Sequence, residues 1–394
     1  MSLIGSRVRL GNFSPTTTTP ISYNSTAVVG PNGIEFNNIS KYDIPTDNRG
    51  MVNANIDLTA DQLIYRIDDN FYTNFLAGSF TGPVLENITP GGPEFYTASI
   101  SPTDNTLGLE TSDVFVSAQK LYINVQGISF DNGDGFTLNL GFIFRGDNLA
   151  NTITGANYND RIVGFGGNDL LFGGRGLDRL VGGNGNDRLD GGGAGDLMVG
   201  GNGNDWYTSD NPNDRIVEQA NGGIDTIFTS VSRSISANVE NMTLTGTALA
   251  AYGNKLANIV HGNGLGNTLT GGSGADWLYG GDGDDLLNGG AGIDHYVGEG
   301  GADTFVFNIP NGRDFVHAFE AGIDKIDLSA IDANQSAAGD QAFTFIGAAA
   351  FTDVSGQLQY SGGVLSGDVN GDGAADFQIL ISNHPAIAAA DLVL

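Results

Sequence analysis

Two stretches of this chain repeat every nine residues without a slip, seven blocks from Gly146 to Thr208 and six from Gly253 to Val306. Six of the thirteen blocks read G-G-x-G-x-D-x-(apolar)-x, as in GGNGNDRLD and GGDGDDLLN, and the others vary on it. Position eight is apolar in every block: Ile153, Ile162, Leu171, Leu180, Leu189, Met198 and Tyr207, then Val260, Leu269, Leu278, Leu287, Tyr296 and Phe305. One apolar side chain per short strand cannot enclose a dry interior alone, so each block needs stacked neighbours. The glycines at positions one, two and four permit backbone turns that side chains would forbid. A flexible Gly/Asp linker would have no reason to keep an apolar residue in every ninth place.

Position six is aspartate in ten of the thirteen blocks: Asp160, Asp169, Asp178, Asp187, Asp196, Asp205, Asp276, Asp285, Asp294 and Asp303. The opening blocks carry Asn151, Asn258 and Asn267 there instead. Asp190, Asp282 and Asp284 fall outside this position and read as solvated charges.

On these motifs the chain resembles the RTX (repeats-in-toxin) family of secreted calcium-binding proteins. The resemblance implies a parallel β-roll in which two blocks make one coil, so that block n stacks on block n+2 at about the 4.8 Å strand spacing. Aspartates so stacked repel one another unless a cation lies between them, and calcium tolerates an irregular all-oxygen cage. Six pairs follow: Asp160/Asp178, Asp169/Asp187, Asp178/Asp196, Asp187/Asp205, Asp276/Asp294 and Asp285/Asp303. The ten aspartates are therefore the expected calcium ligands, with weaker or absent sites at the asparagines. Modules of this kind bind calcium at ~10⁻⁴–10⁻³ M, which leaves them empty in a cytosol and filled outside the cell.

The family also implies type I secretion from a Gram-negative bacterium, read from an uncleaved C-terminal signal. The ending Asp391-Leu392-Val393-Leu394 is similar to the acidic-then-hydrophobic end of serralysin-type signals. GADTFVF, DFVHAFEAGIDKIDLSAID, FTFIGAAAF and SGDVNGDGAADFQILI are similar to the serralysin C-terminal domain, a cap for the last coil. Within it, Asp368-x-Asn370-x-Asp372-Gly373-x-x-Asp376 fits either a calcium loop or a plain Asx/Gly turn; Ile379 stands where an EF-hand carries its bidentate Glu.

The expected fold is all-β, in five parts. Residues 1–145 form an antiparallel β-sandwich head, with alternating runs such as Leu121–Val125 and Phe136–Phe142. Residues 146–208 form the first roll, 209–252 a degenerate spacer that extends the roll without most of the metal, 253–308 the second roll, and 309–394 the cap and signal. Asp131–Gly135 reads as a hairpin turn.

The net charge of −29 argues against a nucleic-acid or anionic-membrane partner. There is no cysteine, hence no disulfide or thiol metal site. No stretch reaches the length of a membrane-spanning helix, and no basic-then-apolar leader opens the chain. RTX arrays commonly follow an enzyme, yet the four histidines (His261, His295, His317 and His384) all lie after residue 260. H-E-x-x-H, G-x-S-x-G and P-loop motifs are absent, which excludes Ser–His and Cys–His chemistry in the head. Only carboxylates such as Asp68, Asp69, Glu86, Glu94 and Glu110 could serve a polysaccharide enzyme there. Arg161 and Arg179, with Arg188 on the other row, could grip an anionic glycan or another copy, or pair with turn carboxylates.

The expectation is a non-enzymatic, extracellular calcium-binding structural protein that self-assembles at the bacterial surface. The alternatives are an adhesin-type module for cell-surface polysaccharide and a carboxylate-dependent polysaccharide-modifying enzyme.

Overall fold

The computed structural model describes residues 135–308, 313–334 and 336–394; before residue 135 it describes nine short strands by their backbone, and side chains enter at Phe142. The chain divides into two compact units, Met1–Val199 and Gly200–Leu394. The described residues are all-β, their one helical element a 3-10 turn at Ala389–Asp391. No helix among them is long and apolar enough to cross a membrane.

In the first unit, Arg7–Phe13 pairs antiparallel with both Ile21–Val28 and Gly82–Asn87. The expected closure into a sandwich, the Asp131–Gly135 turn, and the side chains of Asp68, Asp69, Glu86, Glu94 and Glu110 lie outside the described residues. Gly135–Arg145 is an eleven-residue strand with two kinds of neighbour. Residues Gly135–Asn139 pair antiparallel with Gln62–Arg66, whereas Ile143–Arg145 pair in parallel with Arg161–Val163. The last strand of the head is thus also the first rung of the roll, with Phe142 and Phe144 buried.

From there the chain winds as a parallel solenoid. Arg161 lies opposite Arg179 and Leu170 opposite Arg188, an 18-residue coil of two blocks. The Arg161/Arg179 ladder is therefore a true neighbour pair. Strands such as Arg179–Asn184 alternate outward and inward residues, as the period-two geometry of a strand requires. Every position-eight residue is buried. Each contributes one layer to a core one side chain thick, and burial of a Leu or Ile is worth about 1.5–3 kcal/mol.

Glycine is obligatory at two kinds of place. Gly183 has φ +118°, and a Cβ there would meet the Phe165 carbonyl. Gly164 has ordinary φ, but a Cβ would fill the space between the Asp169 carboxylate and the Gly182 carbonyl oxygen. Three blocks break the glycine rule and keep positive φ: Phe165 (78°), Ala194 (102°) and Glu299 (71°).

In the second unit the parallel coil continues. Trp206–Ser209, Thr226–Thr229, Asn241–Leu244 and Ile259–His261 pair in parallel, burying Ile227, Met242 and Val260. The cap begins where this parallel ladder turns antiparallel. Arg313–His317 pairs in parallel with Phe377–Ile381, which then pairs antiparallel with Val364–Asp368. Leu358, Leu365, Phe377, Ile379 and Ile381 form its core. On the other sheet Leu392–Val393 adds a final parallel rung to Lys325–Asp327. The Asp391 carboxylate accepts hydrogen bonds from the N–H groups of Gly322 (2.9 Å) and Ala388 (2.8 Å).

Candidate metal centre

The aspartate ladder follows from the coil. All ten position-six aspartates are buried. Their Oδ1 atoms serve the backbone of the preceding coil: Asp178 accepts from Asp160 N–H (2.7 Å), Asp187 from Asp169 (2.8 Å) and Asp196 from Asp178 (2.7 Å). In the second array Asp294 accepts from Asp276 and Asp303 from Asp285, both at 3.0 Å. Five of the six expected pairs are thus joined within a unit; Asp187 and Asp205 belong to different units. Phe142 N–H opens the ladder on Asp160 Oδ1 at 2.6 Å.

The other carboxylate oxygen is the informative one. Oδ2 of Asp169, Asp178, Asp276, Asp285 and Asp294 is buried without a hydrogen-bond partner. An unpaired buried charge is costly, so it must be neutralised by a proton or a cation. Burial, opposed by the backbone hydrogen bond and reinforced by Asp160 and Asp196, pushes Asp178 up to about 8. Burial likewise lifts Asp276 and Asp285 to about 7 and Asp303 to about 6. Asp169 and Asp294 are raised for the same first reason.

The bare oxygens are paired with carbonyls. A single point beside Gly164 lies under 3.0 Å from both Asp169 Oδ2 and the Gly182 carbonyl oxygen; Gly280 repeats this with Asp285 Oδ2 and Gly298 O. A donor set of carboxylate and carbonyl oxygens suits a hard divalent cation and gives a soft metal nothing.

The asparagines replace the cation with hydrogen. Asn258 donates its side-chain amide to the carbonyl oxygen of Glu240 (3.0 Å), and Asn267 donates to that of Ala248 (3.2 Å). Each still accepts on Oδ1, from Asn254 N–H (2.9 Å) and Asn263 N–H (2.7 Å). Asn151 accepts from Asp147 N–H in the same manner.

Three ladder members escape the nonapeptide register. Asp225 accepts from Asp205 N–H (2.8 Å), Asp314 from Asp294 N–H (2.9 Å) and Asp324 from Asp303 N–H (3.1 Å). Their intervals are 20, 20 and 21 residues, so a search at 18 passes over them. A usable signal was present: each opens Asp-x-(apolar), with Ile227, Val316 and Ile326 buried two residues on. Burial lifts Asp225 to about 7 and Asp314 to about 6.

The spacer keeps buried acidic groups of its own: Asp214, Glu218 and Asp225. At Asp214 the protein supplies its own cation. The Arg233 guanidinium donates to Ser209 Oγ and to the Asp214 carbonyl oxygen, and Asp214 stabilises its charge against burial.

The 368–376 loop is closed by its own amides. Asp368 accepts from Gly371 and Gly373, and Asp376 from Val369 and Asn370. Ile379 is core, so the EF-hand geometry is not completed. Asp282 and Asp284 are exposed as expected, and Asp190 is half-buried, accepting from Gly192 N–H.

Comparison with protein families identifies part of the coils. A model of the RTX calcium-binding nonapeptide repeat (4 copies) matches residues 145–180, 172–207 and 261–296. These are RTX calcium-binding repeats. Among solved structures, the AlgE6R3 subunit of the Azotobacter vinelandii mannuronan C5-epimerase is 28% identical, covering 35% of this chain and 78% of that one, with a TM-score of 0.26. Comparison with curated proteins finds no match. The RTX coils account for the ladder, the glycines and the apolar core together.

One outward row of the RTX roll is aromatic. His261 stacks on Tyr279 (4.4 Å between ring centroids), Trp277 on His295 (4.0 Å), and His295 on Phe315 (4.7 Å). His295 Nδ1 and His317 Nε2 are 3.0 Å apart, and burial lowers the proton affinity of both rings.

Proposed function

We propose that this chain is a secreted, non-enzymatic calcium-binding protein whose roll folds on meeting extracellular calcium and which then assembles with its own copies at the surface of a Gram-negative bacterium. The carrying observation is the set of buried Oδ2 atoms of Asp169, Asp178, Asp276, Asp285 and Asp294 without hydrogen-bond partners. Asp160, Asp169, Asp178, Asp187, Asp196, Asp205, Asp276, Asp285, Asp294 and Asp303 would hold the ions, which supply the positive charge the ladder lacks. In cytosol the carboxylates repel and the chain stays open for type I export. Outside, each filled site adds RT ln(1 + [Ca]/Kd), about 1.4 kcal/mol at tenfold excess.

Assembly is supported by apolar surface on the first unit, where Leu149, Phe165, Leu170, Phe172 and Leu177 are exposed. Apolar surface of this kind favours a second copy over solvent. The test is to add calcium to chelator-treated protein and follow circular dichroism and light scattering. Folding with growth into ordered oligomers is expected; a calcium-independent spectrum sinks the folding claim, and a persistent monomer sinks assembly.

The aromatic row favours a second reading, a module for cell-surface polysaccharide, because sugar C–H faces pack on flat rings. Trp277→Ala should then abolish saturable binding on a glycan array. A carboxylate-dependent polysaccharide enzyme would draw its acids from the head, and turnover lost on changing one head acid would establish it.

A further inference from the structure

Glu218 stands 18 residues after Gly200, where the repeats keep a first-position glycine. In ordinary coils that glycine contributes its carbonyl oxygen. The points beside Gly155, Gly164, Gly271 and Gly280 are each approached by the block's own aspartate Oδ2 and by the carbonyl of Gly173, Gly182, Gly289 or Gly298. Beside Gly200 the corresponding oxygens are Asp205 Oδ2 and Glu218 Oε1, joined by the Tyr207 hydroxyl. A full negative charge has replaced a carbonyl dipole.

Asp205, Glu218 and Asp225 are all buried, and each offers one carboxylate oxygen within 4.8 Å of the others. Glu218 is locked in place. Its Oε1 accepts from the Tyr207 hydroxyl, and its Oε2 from Gly201 N–H (3.3 Å) and Gln219 N–H (3.1 Å). Asp225 accepts from Asp205 N–H on Oδ1 and donates its own N–H to Glu240 at 2.9 Å, while its Oδ2 is buried with no hydrogen-bond partner. Arg233, a half-buried cation of this segment, donates to Ser209 and the Asp214 carbonyl. Oxygens that ligate one calcium ion at 2.3–2.6 Å stand no more than ~5 Å apart, the spread seen here.

We infer that Asp205, the last aspartate of the first array, forms with Glu218 and Asp225 a divalent-cation site that differs from the other repeat sites by an added side-chain carboxylate and fills at lower free calcium than they do. The inference rests on the calcium reading of the roll. Ligand charge count is a main determinant of calcium affinity in oxygen cages, so about tenfold tighter binding is expected. Filled first, the site orders the spacer before the second array completes its own sites, and so sets where folding starts.

The experiment titrates chelator-stripped full-length protein with calcium by isothermal calorimetry, following circular dichroism in parallel. Glu218→Gln keeps size and an acceptor for Tyr207 but removes the charge, and Asp225→Asn removes the bare oxygen. Asp285→Asn is the control in a repeat coil. The wild type should show one tight ion before the weaker class; E218Q and D225N should lose that first step and keep the rest, whereas D285N should keep it. Should E218Q fail to fold at saturating calcium, D225N carries the same readout. A first step unchanged in the variants overturns this site while leaving the repeat sites standing. A wild type that binds no calcium overturns both readings.

Discussion

The side-chain amide of Asn267 donates to the Ala248 carbonyl oxygen at 3.2 Å while its Oδ1 accepts from Asn263 N–H at 2.7 Å. Nothing in that coil asks for a cation at this position. Asn267→Asp should cost the metal-free protein about 1–3 kcal/mol, the penalty of an unmet buried acceptor, and the loss should shrink in calcium. Thermal melts with and without chelator check this; equal destabilisation in both would refute it.

Stability without metal should fall as pH rises. Asp178 at about 8, and Asp225, Asp276 and Asp285 at about 7, lie far above the ordinary 3.8. A raised carboxylate means the folded state holds protons that the unfolded state has released. The contribution is therefore complete below about pH 4 and disappears through pH 7–8. Chelator-treated protein should melt higher at pH 5 than at pH 8, and saturating calcium should reverse the order, since ion and proton compete for the same oxygens. A metal-free melting point that climbs with pH would contradict the ladder's electrostatics.

Ala194 keeps φ at +102°, where a side chain is strained and neighbouring blocks use glycine. Ala194→Gly should stabilise the calcium-loaded protein by about 1 kcal/mol, and Gly183→Ala should destabilise it by at least as much. Denaturant titration reads both, and a destabilised A194G would be the contrary result.

Leu180 is fully buried and faces Ile162 one coil back. With so thin a core, no second layer can relax into the gap. Leu180→Ala should cost about 2–5 kcal/mol in calcium, measured as a shift of the denaturation midpoint. A loss below 1 kcal/mol would mean that the coils collapse on the cavity.

The roll was legible because its signals are periodic: position eight finds the core from Ile153 to Phe305, and position six finds the ladder. Legibility ended where chain length per coil changed. Asp225, Asp314 and Asp324 remain in the ladder only because the extra residues loop out between strands, and a fixed period cannot see an insertion absorbed outside the strand. Glu218 and Arg233 were hidden for another reason. Their importance comes from what they replace, a carbonyl in one case and an ion in the other. The exchange shows only once residues 18 and 24 apart are brought together. Gly135–Arg145 reads as a head strand by alternation, and nothing in that pattern announces that its last three residues begin the coil.

Asp391 and Leu392 are held inside the structure, one by two backbone amides and the other by a strand partner. Those residues are consequently legible to another protein only while the chain is open. A protein that reads them as an extended peptide would first have to break that rung, so access to this edge is tied to the state of the fold.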